Sequence, residues 1–117
     1  MPGSYSLLGL TNPRQLIGVV GNCDLVITLD NFVLHAARLM DIPTIALWGP
    51  TKPEMHGYPE HINLLGQPSS PICQKCIDGA IPENYATVCP IDAALNCFAT
   101  ISPSYVFSIA LSKLDVR

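Results

Sequence analysis

The residues best suited to chemistry lie in one short segment, residues 28–35, where an apolar run gives way to polar side chains. Asp30 and Asn31 follow the apolar run directly, and His35 comes one helical turn after Asn31, so Asn31 and His35 share a helix face. A helix that follows a parallel strand points its free amides and positive dipole end outward. A diphosphate is a natural ligand there, and His35 could donate a hydrogen bond to phosphate or hydroxyl.

The same residues allow a structural interpretation. Asp30 could be the N-cap of the following helix, and His35 a histidine at the edge of the core whose hydrogen bonds are satisfied within the protein. Helix capping is common, so the pattern alone leaves both interpretations open. His56 and His61 could line a sugar site, and Trp48 could stack on a base or sugar. We interpret the two histidines as solvated loop residues and Trp48 as a side chain that packs against the next helix.

Four cysteines form a second group, with Cys73 and Cys76 separated by two residues and with Cys89 and Cys97 further along the chain. Four thiolates can surround Zn or Fe in a tetrahedral array and would hold an irregular loop in place. Reduced, unliganded thiols and disulfides are the alternatives, because the spacing after Cys76 is looser than in a zinc ribbon. Cys23 is interpreted as a small core residue at the start of a strand.

The elements that must position these residues alternate in type. Residues 11–21 predict a helix, capped by Asn12, with Pro13 at the first helical position and Gly21 at its end. Residues 23–28 predict a buried parallel strand, because the run is apolar and β-branched without alternation. A second helix follows Asn31 and ends before Pro43.

The second half of the chain begins with a clear strand and then loses its pattern. Residues 44–48 repeat the strand pattern and lead into Gly49, Pro50 and Thr51. The order helix, strand, helix, strand predicts an α/β fold with the two strands parallel and adjacent in one sheet. Residues 52–71 predict loop, with 62–65 as the single plausible further strand.

The carboxyl-terminal third is predicted to consist of a cysteine-rich loop and one helix. Residues 71–101 contain the four cysteines without sustained periodicity. Residues 102–115 predict a terminal helix whose apolar side chains share one face, namely Val106, Ile109, Ala110 and Leu114. We therefore expect residues 1–117 to form one domain-sized unit.

Composition excludes some partners. The 117 residues are 49% hydrophobic and only 13% charged, which favours a folded chain with much buried surface. The formal net charge of -3 provides no basic field for nucleic acid or anionic lipid. No stretch approaches the roughly 20 apolar residues that span a bilayer, and no basic region precedes an apolar run at the amino terminus. A cytoplasmic protein without a membrane span is expected.

The order of these features resembles the family 9 glycosyltransferases, whose best-known members are the ADP-heptose:lipopolysaccharide heptosyltransferases. The features that carry the resemblance extend from about Leu7 to Leu111: Asp30, His35-Ala36-Ala37, Ile42-Pro43, Gly49-Pro50-Thr51 and the paired cysteines. The resemblance implies part of the carboxyl-terminal, Rossmann-like domain of a GT-B enzyme. It also implies that a nucleotide-diphosphate sugar such as ADP-heptose binds around Asp30, Asn31, His35, Gly49, Pro50 and Thr51, in lipopolysaccharide or protein glycosylation.

Two departures from the family pattern refine this expectation. The family usually has Thr-Gly after the aspartate, whereas this chain has Asn31 and Phe32, and Phe32 adds a large side chain where a phosphate would approach backbone. The family's amino-terminal domain, which supplies acceptor binding and the presumed base, has no counterpart here. We therefore expect weak donor binding and no sugar transfer by this chain alone.

The resemblance also bears on the metal and on partners. Many family members carry a similar cysteine cluster before the final helix, and some autotransporter heptosyltransferases hold iron on it. Two alternatives to a donor-binding domain stay open: a non-catalytic interaction module that acts as a homo-oligomer or binds a partner, and a structural module stabilised by metal. In the donor-binding interpretation, the partner would be a missing amino-terminal acceptor domain.

Overall fold

A computed structural model describes residues 3–49, 53–66 and 100–115. Within these ranges, three strands form one parallel sheet in the order β1, β2, β3: β1 is Val26–Thr28, β2 is Thr44–Trp48 and β3 is Ile62–Leu65. The same ranges contain four helices: α1 is Pro13–Gly21, α2 is Phe32–Leu39, α3 is Pro53–His56 and α4 is Pro103–Asp115. The predicted α/β fold, a partial Rossmann-like parallel sheet with flanking helices, is confirmed.

Helix α1 begins as its sequence predicts. The Gln15 amide donates to Asn12 Oδ1 at 2.8 Å, and the Asn12 amide donates to Gln15 Oε1 at 2.9 Å, which completes a capping box. Pro13 occupies the first turn, where its missing N–H has no cost. The other end of α1 packs closely against the end of α2. A Cβ on Gly21 would lie only 2.5 Å from Met40 Cε.

The predicted parallel pairing of the first two strands is confirmed, with Val26 opposite Thr44 and Thr28 opposite Ala46. Strand β1 starts three residues later than predicted. The Cys23 amide donates to Val20 O at 3.0 Å, so this segment still completes the end of α1. Pairing begins where the Val26 amide reaches Pro43 O at 2.9 Å.

The sheet has helices on both faces. On one face, Val26, Ala46 and Trp48 pack with the apolar sides of α1 and α2. On the other face, Ile45 packs with Val106 and Ala110 of α4, together with partly buried side chains that include Leu25, Leu47, Ile62 and Leu64. Alternate residues of a strand point to opposite faces, and this division follows from the strand register.

The prediction that the first strand is covered on both sides is wrong at Ile27, which is 50% exposed. Helix α4 packs on the side chains of β2 and β3, and it leaves Ile27 with Phe107 beside an apolar groove. The terminal helix buries only part of its predicted apolar face. Val106 and Ala110 are each 8% exposed, whereas Leu114, nearer the end of α4, is 40% exposed.

The segment after β2 contains one element that the sequence pattern did not predict, the four-residue helix α3. The predicted strand at residues 62–65 is confirmed as β3. Pro50, Thr51 and the cysteine-rich loop lie outside the described residues. No helix in the described ranges is long and apolar enough to cross a membrane.

Candidate functional site

The turn between β1 and α2 is organised by Asn31. Its Oδ1 accepts hydrogen bonds from the Val33 amide and from Thr28 Oγ1, both at 3.0 Å. Asn31 is therefore the N-cap of α2, and the interpretation of Asp30 as the cap is wrong. Asp30 is exposed, and its carboxylate has no hydrogen-bond partner among the residues that the structure describes. Asn31 reaches the amide two residues ahead, as an N-cap side chain should.

The carboxyl ends of β1 and β2 meet at one edge of the sheet. Because the two strands are parallel neighbours, the segment that holds Asp30 and Asn31 leaves the sheet on the same side as Gly49. The N-terminal end of α2 lies at this edge, with Phe32 47% exposed at the first helical position. In open α/β sheets this edge is where ligands bind.

His35 lies one turn into α2 on its exposed face. Its Nδ1 is 2.7 Å from the hydroxyl of Tyr58, which follows α3 in the chain. The two rings meet edge to face, with their centroids 5.6 Å apart and an interplanar angle of 80°. His35 is thus held by a residue 23 positions away, and this contact joins α2 to the segment between α3 and β3.

Tyr58 is the centre of a small polar and aromatic cluster. Its ring lies edge to face with the His61 ring at 5.2 Å, and Arg38 Cζ is 5.9 Å from its centroid, a cation–π arrangement. Arg38 also forms an ion pair with Glu60 at 3.4 Å. A groove of about 650 Å³ lies between α2 and this segment, lined by His35, Arg38, Leu39, Tyr58, Pro59 and Glu60.

Asn63 on β3 ties this cluster to the end of β2. Its Oδ1 accepts from Trp48 Nε1 at 2.9 Å, and its Nδ2 donates to the backbone oxygens of Tyr58 at 3.0 Å and His61 at 3.3 Å. Trp48 is only 1% exposed, which fits the predicted packing role and leaves its ring no free face for a ligand. Gly57 lies directly against the indole.

His61 is buried, with 8% of its surface exposed, so its interpretation as a solvated loop histidine is wrong. Neither ring nitrogen has a hydrogen-bond partner within the described part of the chain. Burial lowers the pKa of the His61 imidazole; Glu60 opposes this shift and Arg38 adds to it. His61 is therefore a neutral ring in the folded protein at neutral pH. His56, by contrast, is exposed at the end of α3.

The predicted site residues thus divide into two groups. The described ones, Asp30, Asn31, His35 and Gly49, lie at the β1 and β2 edge or one helical turn from it. Pro50 and Thr51 lie outside the described residues. Sequence reasoning missed Tyr58 and Asn63, and no local pattern points to them, since they act through partners 23 and 15 positions away.

The predicted metal ligands Cys73, Cys76, Cys89 and Cys97 also lie outside the described residues. Within the described ranges, no group of three or more His, Cys, Asp or Glu side chains is arranged to hold a metal ion. Cys23 is partly buried in the α1 and α2 core, and its Sγ donates to Val19 O at 3.4 Å, in agreement with a core role.

Comparison with known proteins decides the family. The family model of glycosyltransferase family 9 (heptosyltransferase) matches residues 2–78. This chain belongs to that family. The family 9 match contains the three described strands together with α1, α2 and α3.

Two characterised relatives align with this family 9 chain over 49 residues. Lipooligosaccharide heptosyltransferase 2 of Haemophilus influenzae is 39% identical to it, and lipopolysaccharide heptosyltransferase 2 of Salmonella typhimurium is 33% identical. Each alignment covers 42% of this chain and 14% of the relative, so the match spans only a small part of either relative. No solved structure matches significantly.

Proposed function

We propose that this chain supplies part of the donor site of a heptosyltransferase-like glycosyltransferase and binds the diphosphate of a nucleotide-diphosphate sugar. The observation that carries the proposal is the edge of the sheet where β1 and β2 end. There Asp30, Asn31 and Gly49 accompany the start of α2, in a chain of glycosyltransferase family 9. A helix N-terminus at the carboxyl edge of parallel strands is suited to a diphosphate.

Each side chain would have a separate part in binding. Asn31 Oδ1 is already engaged by Val33 and Thr28, but its Nδ2 has no partner among the described residues and could donate to a phosphate oxygen. His35 could donate through the ring nitrogen that Tyr58 does not contact. Asp30 cannot donate as a carboxylate, so we assign it to a hydroxyl group of the sugar or the ribose.

Two features weaken this binding. The Asn31 cap already occupies the Val33 amide, which removes one of the donors that an open helix start would offer. The Phe32 side chain, 47% exposed beside the cap, takes up space where glycine would let a phosphate approach the backbone. We expect an affinity for ADP in the millimolar range, on the order of -4 kcal/mol.

The activity of the whole enzyme requires more than this site. A GT-B transferase works in a cleft between two domains, and the acceptor hydroxyl needs a base to remove its proton. We assign both to another domain, because the aligned segment covers 14% of the heptosyltransferase relatives. By itself, this chain should stabilise a departing diphosphate and should not transfer sugar.

The proposal is tested by comparing ADP with AMP in titrations of the wild type and three variants. His35→Ala should weaken ADP binding about fivefold, the effect of one exposed hydrogen bond of about 1 kcal/mol. Phe32→Ala should strengthen it, and Lys113→Ala, at an exposed position near the end of α4, should leave it unchanged. Equal affinity for ADP and AMP would contradict diphosphate recognition.

A non-catalytic interaction module is the second candidate. The observation that favours it is the exposure of two large apolar side chains that line one apolar groove, Ile27 at 50% and Phe107 at 63%. Phe32, at the start of α2, is also 47% exposed. Exposed apolar groups that lie together are typical of protein contacts. Sedimentation at increasing protein concentration, in the presence and absence of ADP, distinguishes the interaction module from the donor-binding domain. Self-association that ADP does not change would favour the module.

A further inference from the structure

We propose that Tyr58 is a positioning residue for His35. In this assignment the Tyr58 hydroxyl donates to Nδ1 of His35, which places the imidazole proton on Nε2 and directs that N–H away from Tyr58. The inference deepens the proposed function and rests on it in one respect, the identity of the ligand as a nucleoside diphosphate. The arrangement of Tyr58 and His35 itself does not depend on any ligand.

The contact distance supports a direct hydrogen bond. Tyr58 Oη and His35 Nδ1 are 2.7 Å apart, short for a bond between two neutral groups. A phenolic O–H is a good donor and the unprotonated imidazole nitrogen a good acceptor, and a neutral imidazole carries its single proton on the other nitrogen. The hydrogen bond made by one ring nitrogen therefore sets the protonation of the other.

Tyr58 is suited to this task because its own position is fixed from three sides. Its carbonyl oxygen accepts from Asn63 Nδ2 at 3.0 Å, and its ring contacts His61 and lies under the Arg38 guanidinium. Asn63 in turn holds Trp48 Nε1 at 2.9 Å, at the end of β2. These contacts leave the phenol few alternative positions.

The consequence is a connection between the two sides of the proposed donor site. His35 belongs to α2, which follows β1, whereas Tyr58 is anchored through Asn63 to the end of β2, next to Gly49. The hydrogen bond between them fixes the His35 ring relative to the end of β2. A ring that is already held in one tautomer and one orientation loses little further freedom when it binds a phosphate oxygen.

The first experiment needs no ligand. The 15N shifts of the His35 ring nitrogens, measured at a pH where the ring is neutral, report which nitrogen carries the proton. In the wild type we expect Nδ1 as acceptor and Nε2 protonated. In Tyr58→Phe, which keeps the ring and loses the hydroxyl, we expect an averaged mixture of the two His35 tautomers. Tyr105→Phe, on an exposed tyrosine of α4, is the control and should change nothing.

A wild-type His35 ring protonated on Nδ1, or His35 shifts that are the same in Tyr58→Phe, would overturn the assignment. ADP titration then separates this inference from the proposed function. We expect Tyr58→Phe to weaken ADP binding about threefold, less than His35→Ala, because the histidine remains but is no longer oriented. A Tyr58-dependent tautomer without any ADP binding would refute the donor site and leave the positioning role intact. ADP binding that depends on His35 and is unaffected by Tyr58→Phe would overturn the positioning role.

Discussion

His61 shows how burial decides the state of a single residue. Its ring is 8% exposed, lies against Tyr58, and has Glu60 and Arg38 as its charged neighbours. Burial penalises the charged imidazolium more than Glu60 favours it, so the pKa of His61 lies below its usual 6.5. The sequence did not predict that His61 is buried, because its burial depends on packing between α2 and the segment before β3.

The lowered pKa of His61 predicts a pH dependence of stability. The unfolded chain takes up a proton near pH 6.5, whereas the folded chain does so only at a lower pH. The contribution of neutral His61 is therefore fully present above pH 6.5 and is lost as the pH falls from 6.5 toward the folded pKa.

Urea unfolding at about pH 7.5 and about pH 5 measures this loss. In His61→Leu we expect a smaller loss of unfolding free energy between the two conditions than in the wild type. His56→Leu, at an exposed position on α3, is the matched control and should keep the wild-type difference. An unchanged difference in His61→Leu would show that His61 does not titrate as proposed.

Strand β2 packs so closely against the segment after α3 that position 57 has no room for a side chain. A Cβ on Gly57 would lie 2.6 Å from Trp48 Cζ2 and 2.9 Å from the Pro53 backbone oxygen. Neither neighbour can easily move aside, because the indole is hydrogen-bonded to Asn63 and the Pro53 oxygen belongs to the backbone. Glycine at position 57 therefore lets α3 close against the end of β2.

Gly57→Ala should lower the free energy of unfolding by about 1–3 kcal/mol through overpacking. The matched control is Gly18→Ala in α1, where an added Cβ meets no atom within 4 Å and the higher helix propensity of alanine should add up to about 1 kcal/mol. Urea midpoints with unchanged slopes give both values. A Gly57→Ala protein as stable as the wild type would contradict the close packing.

The sequence predicted those elements whose signals are local. Asn12 and Pro13 mark the start of α1, and the continuous apolar run at residues 44–48 marks β2, since capping and β-branching act within a few residues. The start of β1 was predicted too early because Cys23 completes α1 through a backbone hydrogen bond that no composition signal shows. Tyr58 was missed because its role depends on His35, 23 positions away.

The four cysteines of the predicted metal site lie outside the described residues. We propose that Cys73, Cys76, Cys89 and Cys97 bind one Zn or Fe ion, since four thiolates suit either metal. Elemental analysis of protein purified without chelator should find about one equivalent. Cys76→Ser should lose the metal and Cys23→Ser, in the α1 and α2 core, should keep it. Protein that contains no metal after purification under reducing conditions with Zn or Fe supplied would contradict the proposal.

We propose that the edge where β1 and β2 end is a residual donor site. The most direct measurement is an ADP titration of this chain followed by backbone amide shifts. We predict saturable shifts that cluster at residues 30–35 and at Gly49, with AMP producing smaller ones at the same positions. Saturable shifts confined to other parts of the sheet or to α4, or efficient sugar transfer by this chain unaided, would contradict a residual donor site at this edge.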